Sequence, residues 1–174
     1  MKLKYYKMAK DVLDPTFATA GAACFDIFSY ITEDTPITVY DMSNKKIKRK
    51  PEWYGRHTPK IAIRIAPADR ILLPTGLIFD IPENYSVRLH TRSSVSLKNG
   101  LILANSEGII DSDYYHQAFV MLYNASADEV LIKNEERIAQ GELVKNYKYD
   151  IEETEDVPQK KTTRVGGFGS TGKG

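Results

Sequence analysis

Between Ile61 and Leu103 short apolar runs follow one another with turn signals at the breaks, and this spacing constrains the fold more than any other feature of the chain. The runs are IAIRIA, RILL, GLIFDI and YSVRLH. Pro74-Thr75-Gly76 and Pro82-Glu83-Asn84 separate them; proline presets φ and glycine and asparagine accept positive φ, so these are turns. Short strands at such intervals predict an all-β sandwich or barrel. TRSSVSLKNGLIL breaks the rhythm. Thr91 to Ser94 offer capping hydroxyls, Val95 to Asn99 suit one or two helical turns, and Gly100 fits the position just past a helix end.

At 174 residues and 42% hydrophobic content, the chain suits one domain with a real core. The expected division is a single β domain over 1–161 and a glycine-rich tail over 162–174. A net charge of +1 argues against a surface built for nucleic acid. Cys24 is alone, so no intrachain disulfide forms and an intracellular setting is favoured. MKLKYYKMAK holds no apolar signal core, and no run reaches the length of a membrane span. A soluble, cytoplasmic protein is expected, in the host cytoplasm if the source is viral. His57, His90 and His116 have no zinc-ligand spacing with each other or with Cys24, so no structural metal is expected.

Lys2 to Met8 alternates basic and apolar residues as an edge strand would. In FDIF, alternation puts Phe25 and Ile27 on one face and Asp26 on the other. An acid among apolar neighbours has to be hydrogen-bonded, ion-paired or linked to a metal. Residues 41–60, DMSNKKIKRKPEWYGRHTPK, hold seven basic residues against two acidic ones. They read as a long surface insert, either a solvated charged loop or a partner contact with Trp53, Tyr54 and His57 at its tip.

Gly108 to Tyr123, GIIDSDYYHQAFVMLY, reads as a β-hairpin with acid at its tip. Ser112 sets a turn between Asp111 and Asp113, so one carboxylate can do chemistry while the other holds the loop. Farther on, Arg137 and Gln140 stand three residues apart. Arg92 and serines at the start of a short helix form a natural anion site, because free N–H groups, hydroxyls and a guanidinium converge there. TTRVGGFGSTGKG is unlike the body. A flexible tail of this composition can close over a phosphate-bearing ligand, with Phe168 stacking on a base and Arg164 reaching phosphates. It is not a Walker loop, since no helix follows the lysine.

Five collinear segments closely resemble the trimeric deoxyuridine triphosphatases, or dUTPases: AGAACFDIFS, RSSVSLKNG, NSEGIIDSDYY, RIAQ and RVGGFGSTG. PTGLIFDIPENY also looks like that family. The resemblance implies a distorted jelly-roll β-sandwich with one short helix, assembled as a homotrimer with three active sites shared between subunits. It implies hydrolysis of dUTP to dUMP and pyrophosphate with Mg²⁺, removing dUTP and supplying dUMP for thymidylate synthesis. No membrane contact is implied.

By the same resemblance Asp111 orients and activates the attacking water and meets the sugar 3′-hydroxyl. Tyr114 packs under the deoxyribose and excludes a 2′-hydroxyl. Asn105 and the backbone of Gly108, Ile109 and Ile110 bond the uracil edge, with Phe119 lining the same pocket. Arg92, Ser93, Ser94 and Gln140 meet the phosphates, and Asp26 holds waters of the Mg²⁺ shell. Arg164, Phe168, Gly169, Ser170 and Thr171 come over the nucleotide from a neighbouring subunit. Arg137 and Asp113 are expected to form an ion pair that braces the hairpin.

The chain departs from the family pattern at several points. Cys24 replaces a glycine, Tyr115 and His116 replace an arginine and a glycine, and Glu135-Glu136 precede the fourth motif. Gly141 stands where an apolar residue is frequent, and Arg164 is one residue nearer the double glycine. Two alternatives are a deoxycytidine triphosphate deaminase and a dUTP-binding regulatory protein acting on a protein partner through the basic insert. The deaminase needs a glutamate beside the base, and none occurs between Gly108 and Glu129.

Overall fold

The computed structural model describes residues 1–163, so the tail residues Arg164, Phe168, Gly169, Ser170 and Thr171 lie outside the described residues. In chain order the first strands are β1 (Lys4–Lys7), β2 (Thr16–Phe17), β3 (Phe25–Phe28), β4 (Ile37–Tyr40) and β5 (Lys46–Arg49). They are followed by β6 (Glu52–Tyr54), β7 (Lys60–Ile65), β8 (Arg70–Pro74), β9 (Leu77–Asp80) and β10 (Tyr85–His90). The helix α1 (Ser93–Asn99) precedes β11 (Leu101–Leu103), β12 (Gly108–Asp111), β13 (Phe119–Asn124), β14 (Val130–Lys133) and β15 (Arg137–Lys145). Every pairing is antiparallel. One five-stranded sheet runs β12-β10-β15-β3-β2 and a second runs β11-β13-β8-β4-β5; a three-stranded sheet β14-β7-β6 and the pair β1-β9 complete the set. This is the distorted jelly-roll sandwich with one short helix.

Period-two alternation fills the interior. Ile27, Val87, Leu89 and Ile110 from the first large sheet join Val39, Ile71, Leu73, Val120 and Leu122 from the second in one buried apolar cluster. Each such aliphatic side chain contributes about 1.5–3 kcal/mol when fully buried. Polar groups inside are matched. Asn124 is wholly buried and donates to the carbonyls of Ile65 and Asp128, and among the described residues no buried side-chain nitrogen or oxygen lacks a partner.

The expected helix forms and ends where Gly100 allows it, with φ of 65° and its N–H donating to Ser96 O at 3.1 Å. Its start differs from expectation. Arg92 occupies the N-cap with no side-chain cap bond, and the Thr91 hydroxyl instead accepts from Leu103 N at 3.0 Å. The N-terminal edge strand is present as β1, paired with β9.

Two expectations are overturned. Gly108 to Tyr123 is not a hairpin: β12 pairs with β10, whereas β13 pairs with β11 and β8 in the other sheet. Residues 112–118 therefore cross between the sheets, and Ala118 is tied down by bonds with Thr75 and Leu77. Pairing with β10 sets Ile110 opposite Val87 in the core; local alternation in the sequence does not reveal such distant partners. Nor is 41–60 a loop. Asp41 Oδ1 accepts from Ser43 N and Lys45 N at 2.9 Å each, which makes a tight turn, and β5 and β6 then add edge strands to two sheets. KIKR alternates: Lys46 and Lys48 are exposed while Arg49 turns in to Asp69, which is buried, at 2.9 Å. Lysines on an edge also discourage a stray strand from adding there.

Candidate active site

Strand β10 organises the candidate residues into two groups, one at each of its ends. At the His90 end the register sets Gln140 of β15 opposite both His90 and Asp26, and the chain continues into Thr91 and Arg92. Asp26 is 7% exposed. Arg92 Nε donates to its Oδ1 at 2.8 Å and Arg137 Nη1 donates to its Oδ2 at 3.2 Å. Two cations thus share one carboxylate, leaving the group net positive. Gln140 Nε2 donates to Thr91 O at 3.4 Å, and Arg92 Nη1 reaches Ser94 Oγ at 3.5 Å.

Arg137 belongs to this group because of a backbone irregularity. Residues three apart on a regular strand face opposite sides. The register shifts between Arg137 and Ala139: Arg137 pairs with Phe28 and Ala139 with Ile27, so Ile138 is an extra residue. This bulge restores parity and turns Arg137 onto the face of Gln140 and Asp26. The expected pairing of Arg137 with Asp113 is therefore replaced by Arg137 with Asp26, and Asp113 stands exposed in its turn.

At the Ser86 end, Asp111 closes β12 opposite Ser86 and is exposed. Tyr114 N donates to Asp111 O at 3.1 Å, which fixes the turn, and the Tyr114 hydroxyl donates to Gln117 O at 3.1 Å. The Tyr114 ring meets His116 edge-on at 5.7 Å. A cleft of about 740 Å³ lies beside Asp111, lined also by Asn84, Asp113, Tyr115, Asn146 and Lys148. Asn146 and Lys148 were not foreseen, since nothing in their local sequence marks them as neighbours of Asp111.

β12 is an edge strand, so part of the backbone of Gly108, Ile109 and Ile110 is free to pair with a planar ligand edge. Asn105 lies exposed in the preceding loop, where its carbonyl accepts from Glu107 N at 2.7 Å. Phe119 is not brought beside them in β12's sheet: it begins β13 in the other sheet, opposite Pro74. The partners of Asp111 and Gln140 on β10, Ser86 and His90, stand four positions apart, about 13 Å of extended chain.

The acid of Asp26 offers poor purchase to a metal. Both oxygens are taken by guanidinium groups, and among the described residues no three His, Cys, Asp or Glu side chains gather in a way that would hold an ion. The role expected of Asp26 toward Mg²⁺ is through water, and each of its oxygens keeps a second acceptor site for that. Beside it, Cys24 has its thiol pKa pushed up, by burial first and by the nearby Glu142 second.

The family model described as dUTPase matches residues 59–172. The deoxyuridine 5′-triphosphate nucleotidohydrolase of Caulobacter vibrioides is 31% identical over 172 residues, covering 99% of this chain and 94% of that protein. The chain belongs to the dUTPase family. Among solved structures, a Staphylococcus bacteriophage 80alpha dUTPase variant with dUpNHpp has a TM-score of 0.73 at 19% identity, covering 98% of each chain. A variant dUTPase from phage phi11 of S. aureus, whose structure concerns coordination of a structural Mg(II) ion, has a TM-score of 0.68 at 16% identity, covering 91% of this chain and 100% of that one. These two share the dUTPase fold with this chain. Among the described residues no helix is long and apolar enough to cross a membrane.

One departure from the family pattern acquires a physical reason. A Cβ on Gly141 would stand 2.7 Å from Phe25 Cζ, and the two residues are cross-strand partners. The aromatic ring fills the space that a side chain at 141 would otherwise take.

Proposed function

We propose that this dUTPase hydrolyses dUTP to dUMP and pyrophosphate, using sites shared between subunits of a homotrimer. Water attacks the α-phosphorus, the bond to the α–β bridging oxygen breaks, and pyrophosphate departs. Asp111 accepts the water's proton and orients the water; its exposure on a turn leaves both oxygens open to do so. Arg92, Ser93, Ser94 and Gln140 receive the phosphates. Asp26 holds Arg92 and Arg137 in place, so that their charge is preorganised before substrate arrives.

Tyr114 packs against the deoxyribose and leaves no space for a 2′-hydroxyl. Asn105 with the free edge of Gly108, Ile109 and Ile110 reads uracil, rejecting cytosine by its amino group and thymine by its methyl group. Phe119 lines the pocket from the neighbouring sheet. Residues 1–161 form the β domain and 162–174 a lid, from which Arg164, Phe168, Gly169, Ser170 and Thr171 close over the nucleotide of another subunit. Asp26 would hold Mg²⁺ through water, and the ion would offset the charge of the triphosphate. The proposed setting is the cytoplasm, in keeping with a lone cysteine.

The observation that carries the reading is the separation along β10. A base and a phosphate clamp must both reach one phosphorus within a few ångströms, yet in one chain they lie about 13 Å of strand apart. A site completed by a second copy removes the conflict. The test of activity is pyrophosphate release from dUTP, dCTP, dTTP and UTP in separate samples with Mg²⁺. Release from dUTP alone is expected; equal release from UTP or dCTP contradicts the assigned roles of Tyr114 and of the β12 edge.

A further inference from the structure

The outer face of the second large sheet is untouched by this chemistry. Thr38, Tyr40, Leu72 and Met121 share that face through the registers of β4, β8 and β13, and Lys46 and Lys48 border it on β5. A cavity of about 190 Å³ opens there between Tyr40, Leu72 and Met121. β5 ends the sheet, so its outer backbone edge is free. Among the described residues Lys48 donates to Thr38 Oγ1 and to no acid, and Lys45, Lys46 and Lys50 pair with no acid.

The same chain carries a segment of opposite character. Every residue from Tyr147 to Thr163 is exposed. Within it Asp150, Glu152, Glu153, Glu155 and Asp156 pair with no cation among the described residues. Ile151 and Val157 flank the acids at 91% and 90% exposure. A merely solvated charge run needs no aliphatic flanks. The basic edge has matching flanks in Met42, 80% exposed, and Trp53, 57% exposed.

We propose that residues 150–157 of one copy dock on this face of a second copy. Glu152, Glu153 and Glu155 lie against Lys46, Lys48 and Lys50, and Ile151 covers the cavity beside Tyr40. The occupant comes from another copy because the connector leaves β15 beside Tyr85 in the first large sheet. There Asn146 N donates to Asn84 O at 2.7 Å and Lys148 pairs with Glu83 at 3.7 Å, whereas β5 is an edge of the other sheet. The contact sits on the chain just before the proposed lid, so docking would shorten the free length that carries the tail to a neighbouring site. It rests on the multi-copy assembly proposed above.

The experiment mixes full-length chains carrying Lys48→Cys with chains carrying Glu153→Cys, oxidises them mildly, and records oligomer mass in parallel. A covalent pair containing one chain of each kind is expected, weakened about tenfold at high salt because exposed ion pairs are screened. No coupling in an oligomer of normal mass overturns the docking while leaving the assembly intact; a monomeric mass overturns the assembly itself. Coupling only within a chain that bears both cysteines overturns the second-copy assignment. Separately, Lys46→Glu with Lys48→Glu should raise proteolysis beside Ile151 about tenfold, and adding Glu152→Lys with Glu153→Lys should restore protection. Failure of the reversal to restore it counts against the ion pairs. Retention of the native chain on a single-stranded oligonucleotide that Lys46→Glu with Lys48→Glu abolishes, without coupling between chains, would assign the face to nucleic acid and overturn the proposal.

Discussion

At the His90 end of β10 a buried carboxylate, Asp26, is paired with two guanidinium groups, whereas at the Ser86 end the charged groups stand in water. Asp26, Arg92 and Arg137 are positioned by cross-strand register and a bulge; Asp111 and Tyr114 are positioned by one turn. The first group is ready to meet anionic charge without reorganising. The second lies on an open surface, and water is excluded from it only once another surface covers it. The proposed function follows from this contrast: the chemistry would be divided between the ends of one strand and reunited by assembly.

The sharpest way to break this contrast is at the exposed end. Asp111→Asn is expected to keep folding and dUTP binding while turnover falls by about 10² or more, because it removes the base and a water acceptor; steady-state pyrophosphate release with a separate binding titration reads both. At the buried end the effect falls on stability. Asp26→Ala leaves two guanidinium groups without their shared acid and should cost about 2 kcal/mol, less than a fully buried pair because Arg137 is half exposed. Urea unfolding measures it. Truncation after Lys161 is expected to leave a folded assembly with turnover lowered about tenfold, since the lid is gone.

Smaller changes sharpen the account. Gly141→Ala drives a Cβ toward the Phe25 ring and should destabilise by about 1 kcal/mol, a loss that Phe25→Leu in the same chain should relieve. Lys46→Ser with Lys48→Ser should leave turnover within about twofold, because both lysines lie on β5, in the other sheet from the candidate site strands. Deleting residues 43–58 would be a poorer test, because it removes both β5 and β6 and strips Arg49 from the buried Asp69.

The strands were legible wherever alternation was clean, and the helix end was legible in Gly100. The two misreadings share a cause. Residues 108–123 and 41–60 take their partners from distant strands, β10, β8, β4 and β7, and local pattern carries no information on long-range pairing. KIKR looked like a solvated run because its charges were counted before its alternation was. In the candidate site, the partner of Arg137 is Asp26 and not Asp113. Its signal was present: RIAQ on a strand sets Arg137 and Gln140 three apart, and for both to share a face requires a bulge.

The central claim is that Asp111 and the Arg92 group act on one nucleotide from different copies. Chains carrying Asp111→Asn and chains carrying Arg92→Gln, each nearly inactive alone, are to be unfolded together, refolded as mixed oligomers and assayed for pyrophosphate release from dUTP. Recovery to about a quarter of the native rate is predicted, because in symmetric mixed assemblies that share of sites draws an intact residue from each copy. Refolded mixed oligomers that stay as inactive as their parents would contradict the claim and place both residues in one chain's site.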